Sequence, residues 1–214
     1  MKEAPLRRVK DTYTTGARSL ASRSVTSLAR TRVTPNVLTA TGVSLCLLAA
    51  VLVLFEDRNE ILFYWLGAVV FVVGSLLDIL DGALARVGGK STPFGAFLDS
   101  TTDRVGESAM LTAIGFVLAR QGNDVAAALT ILAVAGSILV SYTRAKAEAL
   151  GLNATVGFGS RAERVVMITA GLVFAPWGGL PWAIVALCAT AWLTVVQRVL
   201  HVRKQLRSGG TDVS

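Results

Sequence analysis

The chain has 214 residues, 53% of them hydrophobic and only 16% charged, with a formal net charge of +7. A soluble domain is typically about 25% charged, so this composition excludes an ordinary soluble enzyme and points to one integral membrane domain. Two cysteines and a single histidine exclude a disulfide framework, a cysteine-based zinc site and a multi-histidine metal centre.

The first 35 residues are mostly polar and basic, which is not the pattern of a cleavable signal peptide. Within them Leu6, Val9, Tyr13, Ala17, Leu20 and Leu28 recur at helical spacing, with Arg8, Arg18, Arg23 and Arg30 largely opposite. That pattern predicts a helix lying in the membrane interface and drawn to anionic lipid headgroups. Residues 1–35 are therefore expected to form a cytoplasmic juxtamembrane segment.

Six apolar runs follow, at 37–55, 62–84, 94–119, 125–147, 165–177 and 180–199. A spanning helix needs roughly 20 such residues. The fifth run is the shortest and ends in Pro-Trp-Gly-Gly. The predicted fold is all-α: six transmembrane helices in a domain covering 36–207, an N-terminal interfacial helix, and a disordered polar tail at 208–214. Cys46 and Cys188 lie in separate apolar runs and are expected to be small packing residues.

Basic residues set the orientation. They precede the first run, join the second to the third (Arg86, Lys90), flank the link between the fourth and fifth (Arg144, Lys146, Arg161, Arg164) and follow the sixth (Arg203, Lys204, Arg207). The alternate links hold only Arg58 and Arg120. By the positive-inside rule both termini are cytoplasmic. Charge placed in this way suits a membrane surface and not a nucleic acid.

Four acids interrupt the apolar pattern. Asp78 and Asp81 are three residues apart, and Asp99 and Asp103 four apart, so each pair shares a helix face. The link from Val87 to Pro93 has the composition of a turn. An antiparallel hairpin would then let the two pairs face each other. An ionisable group at a bilayer is costly and usually marks function. An all-oxygen cluster suits Mg²⁺, Mn²⁺ or Ca²⁺. Two ions about 4 Å apart could clamp a phosphoryl group. Gly82, Ala85 and Gly95 permit close approach, and Arg86 can reach a phosphate. The plainer alternative is that the acids pair with Arg86, Lys90 and Arg104 as interfacial ion pairs. Gly89-Lys90-Ser91 imitates the end of a phosphate-binding loop, but Leu84 stands where that loop requires glycine.

The run Asp78-x2-Asp81-Gly82-x2-Ala85-Arg86-x8-Gly95-x3-Asp99-x3-Asp103 resembles the signature of the CDP-alcohol phosphatidyltransferase family, with every position filled. The segment Thr34-Pro35-Asn36-Val37-Leu38-Thr39 also resembles that family near its cytidine site. The resemblance implies a membrane enzyme, similar to the family in forming a homodimer, in which a CDP-linked lipid loses CMP to an attacking alcohol. It implies that Asp78, Asp81, Asp99 and Asp103 bind two divalent ions, Mg²⁺ or Mn²⁺, and that Asp103 is the general base. Asn36, Thr39, Gly82, Ala85 and Arg86 would hold CDP-diacylglycerol.

The acceptor is suggested by basic residues. Arg144, Arg164 and Arg198 come from three helices at the expected cytoplasmic side, and converging cations suit an acceptor that carries its own phosphate. Membrane anchoring by the positive-inside rule is the alternative. The segments Ser141–Glu148, Gly157–Arg164 and Gln197-Arg198 resemble those of the phosphatidylinositol phosphate synthases within the family, which implies inositol 1-phosphate as acceptor. Arg144 stands where those enzymes have lysine, and Lys146 where they often have arginine. That exchange leaves the similar archaeal-type inositol phosphate transferases and a glycerol 3-phosphate acceptor as rivals. A cation transporter and a non-catalytic membrane scaffold are the remaining readings.

Overall fold

The computed structural model describes residues 34–87, 92–157 and 159–209, except for the side chains at 85–87, 208 and 209. All regular structure among these residues is helical. The helices are α1 (Pro35–Val53), α2 (Glu60–Val87), α3 (Pro93–Arg120), α4 (Asp124–Ala149), α5 (Arg161–Val173) and α6 (Leu180–Gly209). A 3-10 turn at Ala175–Trp177 joins α5 to α6. The interfacial helix expected in 1–35 and the tail beyond residue 209 lie outside the described residues.

Local chemistry sets the helix limits. Pro35 and Pro93 occupy first-turn positions in α1 and α3, where a missing N–H costs nothing. The Thr92 side chain accepts from the Gly95 N–H at 3.0 Å, and the Asn123 side chain accepts from the Ala126 N–H at 3.1 Å. Ser160 and Glu163 form a reciprocal capping box, so α5 begins at Arg161, before the apolar run expected from residue 165. It ends at Val173 because Pro176 and the left-handed Gly178 turn the chain. α6 continues ten residues past residue 199, through Arg203, Lys204 and Arg207.

Four helical stretches have the length and hydropathy of a membrane span: Pro35–Val53, Glu60–Leu84, Asp124–Ala149 and Leu180–Arg207. The other two of the six helices depart from that pattern for visible reasons. α3 carries Asp99, Asp103, Arg104, Glu107 and Arg120. α5 has 13 residues, about 20 Å at 1.5 Å per residue, against a hydrocarbon core of about 30 Å. The protein is a multi-pass membrane protein. Val69, Phe116, Val125, Ile131 and Trp182 face outward, as lipid contact requires.

The helices form a closed ring in the order α1, α2, α5, α6, α4, α3, with each packed mainly on its two neighbours. The core is filled by Tyr64, Phe71, Met110, Ile114, Leu118, Ile168, Leu172, Ile184 and Leu187. The expected α2–α3 hairpin takes an unexpected form. Those two helices touch each other little, and both lean on α1. Small residues make this possible. A Cβ at Gly74 would lie 2.8 Å from the Gly42 carbonyl oxygen and 2.9 Å from Cys46 Sγ, and one at Gly106 would lie 2.9 Å from Cys46 Cβ. Cys46 thus packs between α2 and α3, which is the small-residue role expected of it.

Polar contacts fasten the two ends of the ring. At one end Arg120 contacts the buried Glu56 and donates to the Leu54 carbonyl at 3.0 Å, and Gln121 donates to the Tyr64 hydroxyl at 3.1 Å. At the other, the Asn153 N–H donates to Gln205 Oε1 at 3.1 Å while Gln205 Nε2 donates to the Asn153 carbonyl at 2.5 Å. The α4–α5 loop is thereby clasped to α6. Gly157, at φ +107°, presses on Thr194 where any Cβ would meet Cγ2 at 2.4 Å.

We expect Gly74→Ala to force α1 from α2, because the obstructing Gly42 oxygen is backbone. Overpacking typically costs about 1–3 kcal/mol, a fall of roughly 2–12 °C in melting temperature for a chain of this size. Thermal unfolding in detergent checks it, with Leu76→Ala on the exposed face of α2 as the control.

Candidate metal centre

Asp78 and Asp81 sit near the end of α2, and Asp99 and Asp103 lie in the first turns of α3. Oxygens of Asp78, Asp99 and Asp103 converge within 4.8 Å of one another. The converging groups come from the two helices that the spacing singled out. Asp81 is not in this group of three. Its Oδ2 accepts a hydrogen bond from Thr39 Oγ1 on α1, although it remains within electrostatic reach of Asp78 and Asp99. The cause is the Gly42–Gly74 contact, which brings α1 close enough for Thr39 to reach α2.

The donor set fits a divalent ion. The three converging groups are hard oxygen donors. In addition, Asp81 Oδ1 is buried with no hydrogen-bond partner among the described residues. A buried carboxylate oxygen without a donor carries a desolvation cost that coordination to a cation removes.

Among the described residues, the positive charge facing the acids comes from α5. Arg161 Nη1 contacts Asp78 Oδ2, and Nη2 lies 2.8 Å from Asp103 Oδ1, off the ideal hydrogen-bonding direction. Arg104, weighed above as an ion-pair partner, instead donates to the Ser100 carbonyl on its own helix. Lys90 and the side chains of Ala85 and Arg86 lie outside the described ones. Gly82 is half-buried in the last turns of α2. Asn36 is exposed at the start of α1, with its Oδ1 3.6 Å from where a Gly95 Cβ would stand. Residues expected to contact the nucleotide therefore border the acids.

The three arginines suggested for the acceptor occupy different settings. Arg164 is buried and holds Glu107 in a two-pronged pair, Nε to Oε1 at 2.6 Å and Nη2 to Oε2 at 2.9 Å. Its Nη1 also donates to the Gly159 carbonyl at 2.5 Å. Three of the five N–H groups of its guanidinium are thus engaged. Arg198 is buried and ties α6 to its surroundings, donating from Nε to the Val156 carbonyl at 3.1 Å and from Nη1 to the Val140 carbonyl. Arg144 is half-exposed and pairs with Glu148 at 2.8 Å. Arg144 and Arg164 are near enough to Arg198 for their charges to act on it.

Two further side chains, Arg161 and Glu107, enter this region. Arg161 was grouped with the basic links, yet it enters the acid cluster. No spacing or motif in the chain separates it from the anchoring arginines. Glu107 extends the row Asp99, Asp103, Glu107 at intervals of four, and that row was legible in the chain.

The sequence profile described as CDP-alcohol phosphatidyltransferase matches residues 32–202. The chain is 36% identical to the archaetidylinositol phosphate synthase of Pyrococcus horikoshii over 184 residues, which cover 86% of this chain and 90% of that one. It is 38% identical to the phosphatidylinositol phosphate synthase of Mycolicibacterium smegmatis over 191 residues, covering 85% and 83%. Among solved structures, it matches the Mycobacterium tuberculosis phosphatidylinositol phosphate synthase with CDP-DAG bound at a TM-score of 0.75 and 28% identity, covering 86% of this chain and 94% of that one. The same enzyme in complex with manganese and citrate matches at 0.73 and 29%, covering 85% and 88%.

We expect Asp99→Asn to weaken Mn²⁺ binding by about 100-fold or more. Thr39→Val, which removes the hydroxyl that Asp81 and the Pro35 carbonyl share, should weaken it about tenfold, in the range usual for residues behind metal ligands. Electron paramagnetic resonance of free Mn²⁺ over detergent-solubilised protein checks both values.

Proposed function

The chain belongs to the CDP-alcohol phosphatidyltransferase family, and we propose that it transfers a phosphatidyl group from CDP-diacylglycerol to inositol 1-phosphate, releasing CMP and forming phosphatidylinositol phosphate. The observation that carries this reading is the convergence of Asp78, Asp99 and Asp103 within 4.8 Å beside Arg161 of α5. The CDP-DAG bound to the similar Mycobacterium tuberculosis enzyme supports the choice of lipid donor, and the inositol phosphate in the names of the similar synthases supports the choice of headgroup.

On this reading Asp78, Asp81, Asp99 and Asp103 hold two divalent ions, Mg²⁺ or Mn²⁺. When bound, these offset the charge of the pyrophosphate and polarise the attacked phosphorus. Thr39 keeps Asp81 turned toward the site from α1. Asn36, Thr39, Gly82, Ala85 and Arg86 border the nucleotide, where the small residues admit it closely. Asp103 takes the proton from the acceptor hydroxyl as that oxygen bonds to the lipid-linked phosphorus. The bond from phosphorus to the bridging oxygen breaks, and CMP leaves with the electron pair. A carboxylate is a weak base for an alcohol, so alignment of the hydroxyl against Asp103 carries much of the rate. Arg144, Arg164 and Arg198 supply charge for the acceptor's own phosphate, with Glu107 and the Gly159 carbonyl fixing the plane of the Arg164 fork.

The acyl chains have a matching place. An apolar groove of about 660 Å³ runs between α2 and α5, lined by Val72, Leu76, Ile79, Val165, Val166 and Phe174, with Arg161 also at its wall. Arg161 at that wall is the residue that contacts Asp78 and Asp103. We also place the enzyme in the plasma membrane as a homodimer, with both termini and the site on the cytoplasmic side. The distribution of basic residues and the family resemblance support that placement.

Purified protein with CDP-diacylglycerol and Mg²⁺ should release CMP with inositol 1-phosphate and not with inositol or serine. Preference for glycerol 3-phosphate would overturn the acceptor while leaving the acid chemistry in place. No CMP with any acceptor would overturn the transferase reading. Asp103→Asn should lower kcat by roughly 10²–10⁴-fold, the usual range for a general base, with binding of CDP-diacylglycerol changed only a few-fold. Arg164→Lys keeps the charge beside Glu107 but loses the fork. It should raise KM for the acceptor about tenfold and leave KM for the lipid within about twofold, measured by steady-state CMP release.

A further inference from the structure

Arg161 stands in an unusual position for an arginine near a metal site. Its two terminal nitrogens reach Asp78 and Asp103, two of the three groups whose oxygens converge. The backbone beneath it is fixed, because the Ser160–Glu163 capping box starts α5 at this residue. Its stem lies along the apolar groove beside Ala162 and Val165. Its Nε is buried and has no hydrogen-bond partner among the described residues. The guanidinium is thus held by the acids more than by any other polar contact.

An arginine cannot relieve such a contact by losing its proton, because its guanidinium stays charged at any working pH. A divalent ion that takes Asp78 and Asp103 as ligands brings two positive charges to oxygens that already bear one. The two cations cannot both keep those oxygens without repulsion across a few ångströms.

We propose that Arg161 is a resident counter-ion of the acid cluster and exchanges with the divalent ion, so that guanidinium and metal compete for Asp78 and Asp103. The proposal rests on the reading that these acids bind metal. Its consequence is that metal affinity is set by the displacement of an internal cation as well as by the ligands. The metal-free protein is also spared an uncompensated cluster of carboxylates. Arg161 is on this view a positioning residue, distinct from the arginines assigned to the acceptor.

The test uses the full-length protein in detergent and Mn²⁺ alone, without nucleotide or acceptor. Arg161→Ala should lower the Kd for Mn²⁺ at least tenfold, read by electron paramagnetic resonance. It should also lower the melting temperature in EDTA by several degrees, and that deficit should vanish at saturating Mn²⁺. Arg161→Lys should fall between wild type and Arg161→Ala in Kd. Arg104→Ala removes a nearby positive charge bonded to its own helix, and should change the Kd less than about twofold. Arg161→Gln gives the same comparison if the alanine variant does not fold. Mn²⁺ binding by wild type with an unchanged or higher Kd in the Arg161 variants would overturn the exchange alone. So would a stability deficit that persists at saturating Mn²⁺. Absence of Mn²⁺ binding by wild type would overturn the metal reading and the exchange together.

Discussion

Asp78, Asp99 and Asp103 bring three carboxylate oxygens within 4.8 Å of one another. At that spacing each pair of full charges repels by about 3 kcal/mol at an effective dielectric near 20. The load falls on the helices, which must fix α2 and α3 firmly enough to resist it, and on the cation that α5 supplies. The glycine and cysteine packing of α1, the capping box of α5 and the clasp of the α4–α5 loop all serve that end.

α1 has the central structural role although it carries none of the acids. It packs against both acid-bearing helices through Gly42, Cys46, Gly74 and Gly106, and it sends Thr39 to Asp81. Close backbone contact of this kind is the usual means by which helices associate in lipid, where burial of apolar surface gives little drive. The polar contacts at the far end, Arg120 with Glu56 and Gln121 with Tyr64, hold α1, α2 and α3 at a second level. The separation of α2 from α3 is thus defined at both ends.

Much of this was legible in the chain. The intervals Asp78–Asp81 and Asp99–Asp103 place each pair on one helical face by geometry alone, and the apolar runs locate six helices. Other features depend on neighbours distant in sequence. The turn-like link between α2 and α3 suggested a hairpin, but the order around the ring is set by which helices carry the small residues, and that placed α1 between them. Asp81 stands outside the converging three and is bonded to Thr39, which lies 42 residues earlier in the chain. Arg161 could not be told from an anchoring arginine, since both belong to the basic links of a membrane protein. Only the packing of α5 on α2 separates them. Helix ends shifted for local reasons, as where Ser160 and Glu163 start α5 four residues before its apolar run.

Arg161 and Arg164 are three residues apart on the first turn of α5, a rise of about 4.5 Å. One faces the acids, and the other faces Glu107 and the neighbouring arginines. A displacement of that turn cannot alter one setting without altering the other. Ser160, Glu163, Gly157, Gly159 and Thr194 hold the turn in place, so they form a single unit with respect to mutation. Sequence change there is expected to be correlated, because a substitution that re-aims α5 for a new acceptor also disturbs the acids. Divergence toward other acceptors should meet less resistance at Arg144, where the half-exposed pair with Glu148 is mechanically independent of this turn.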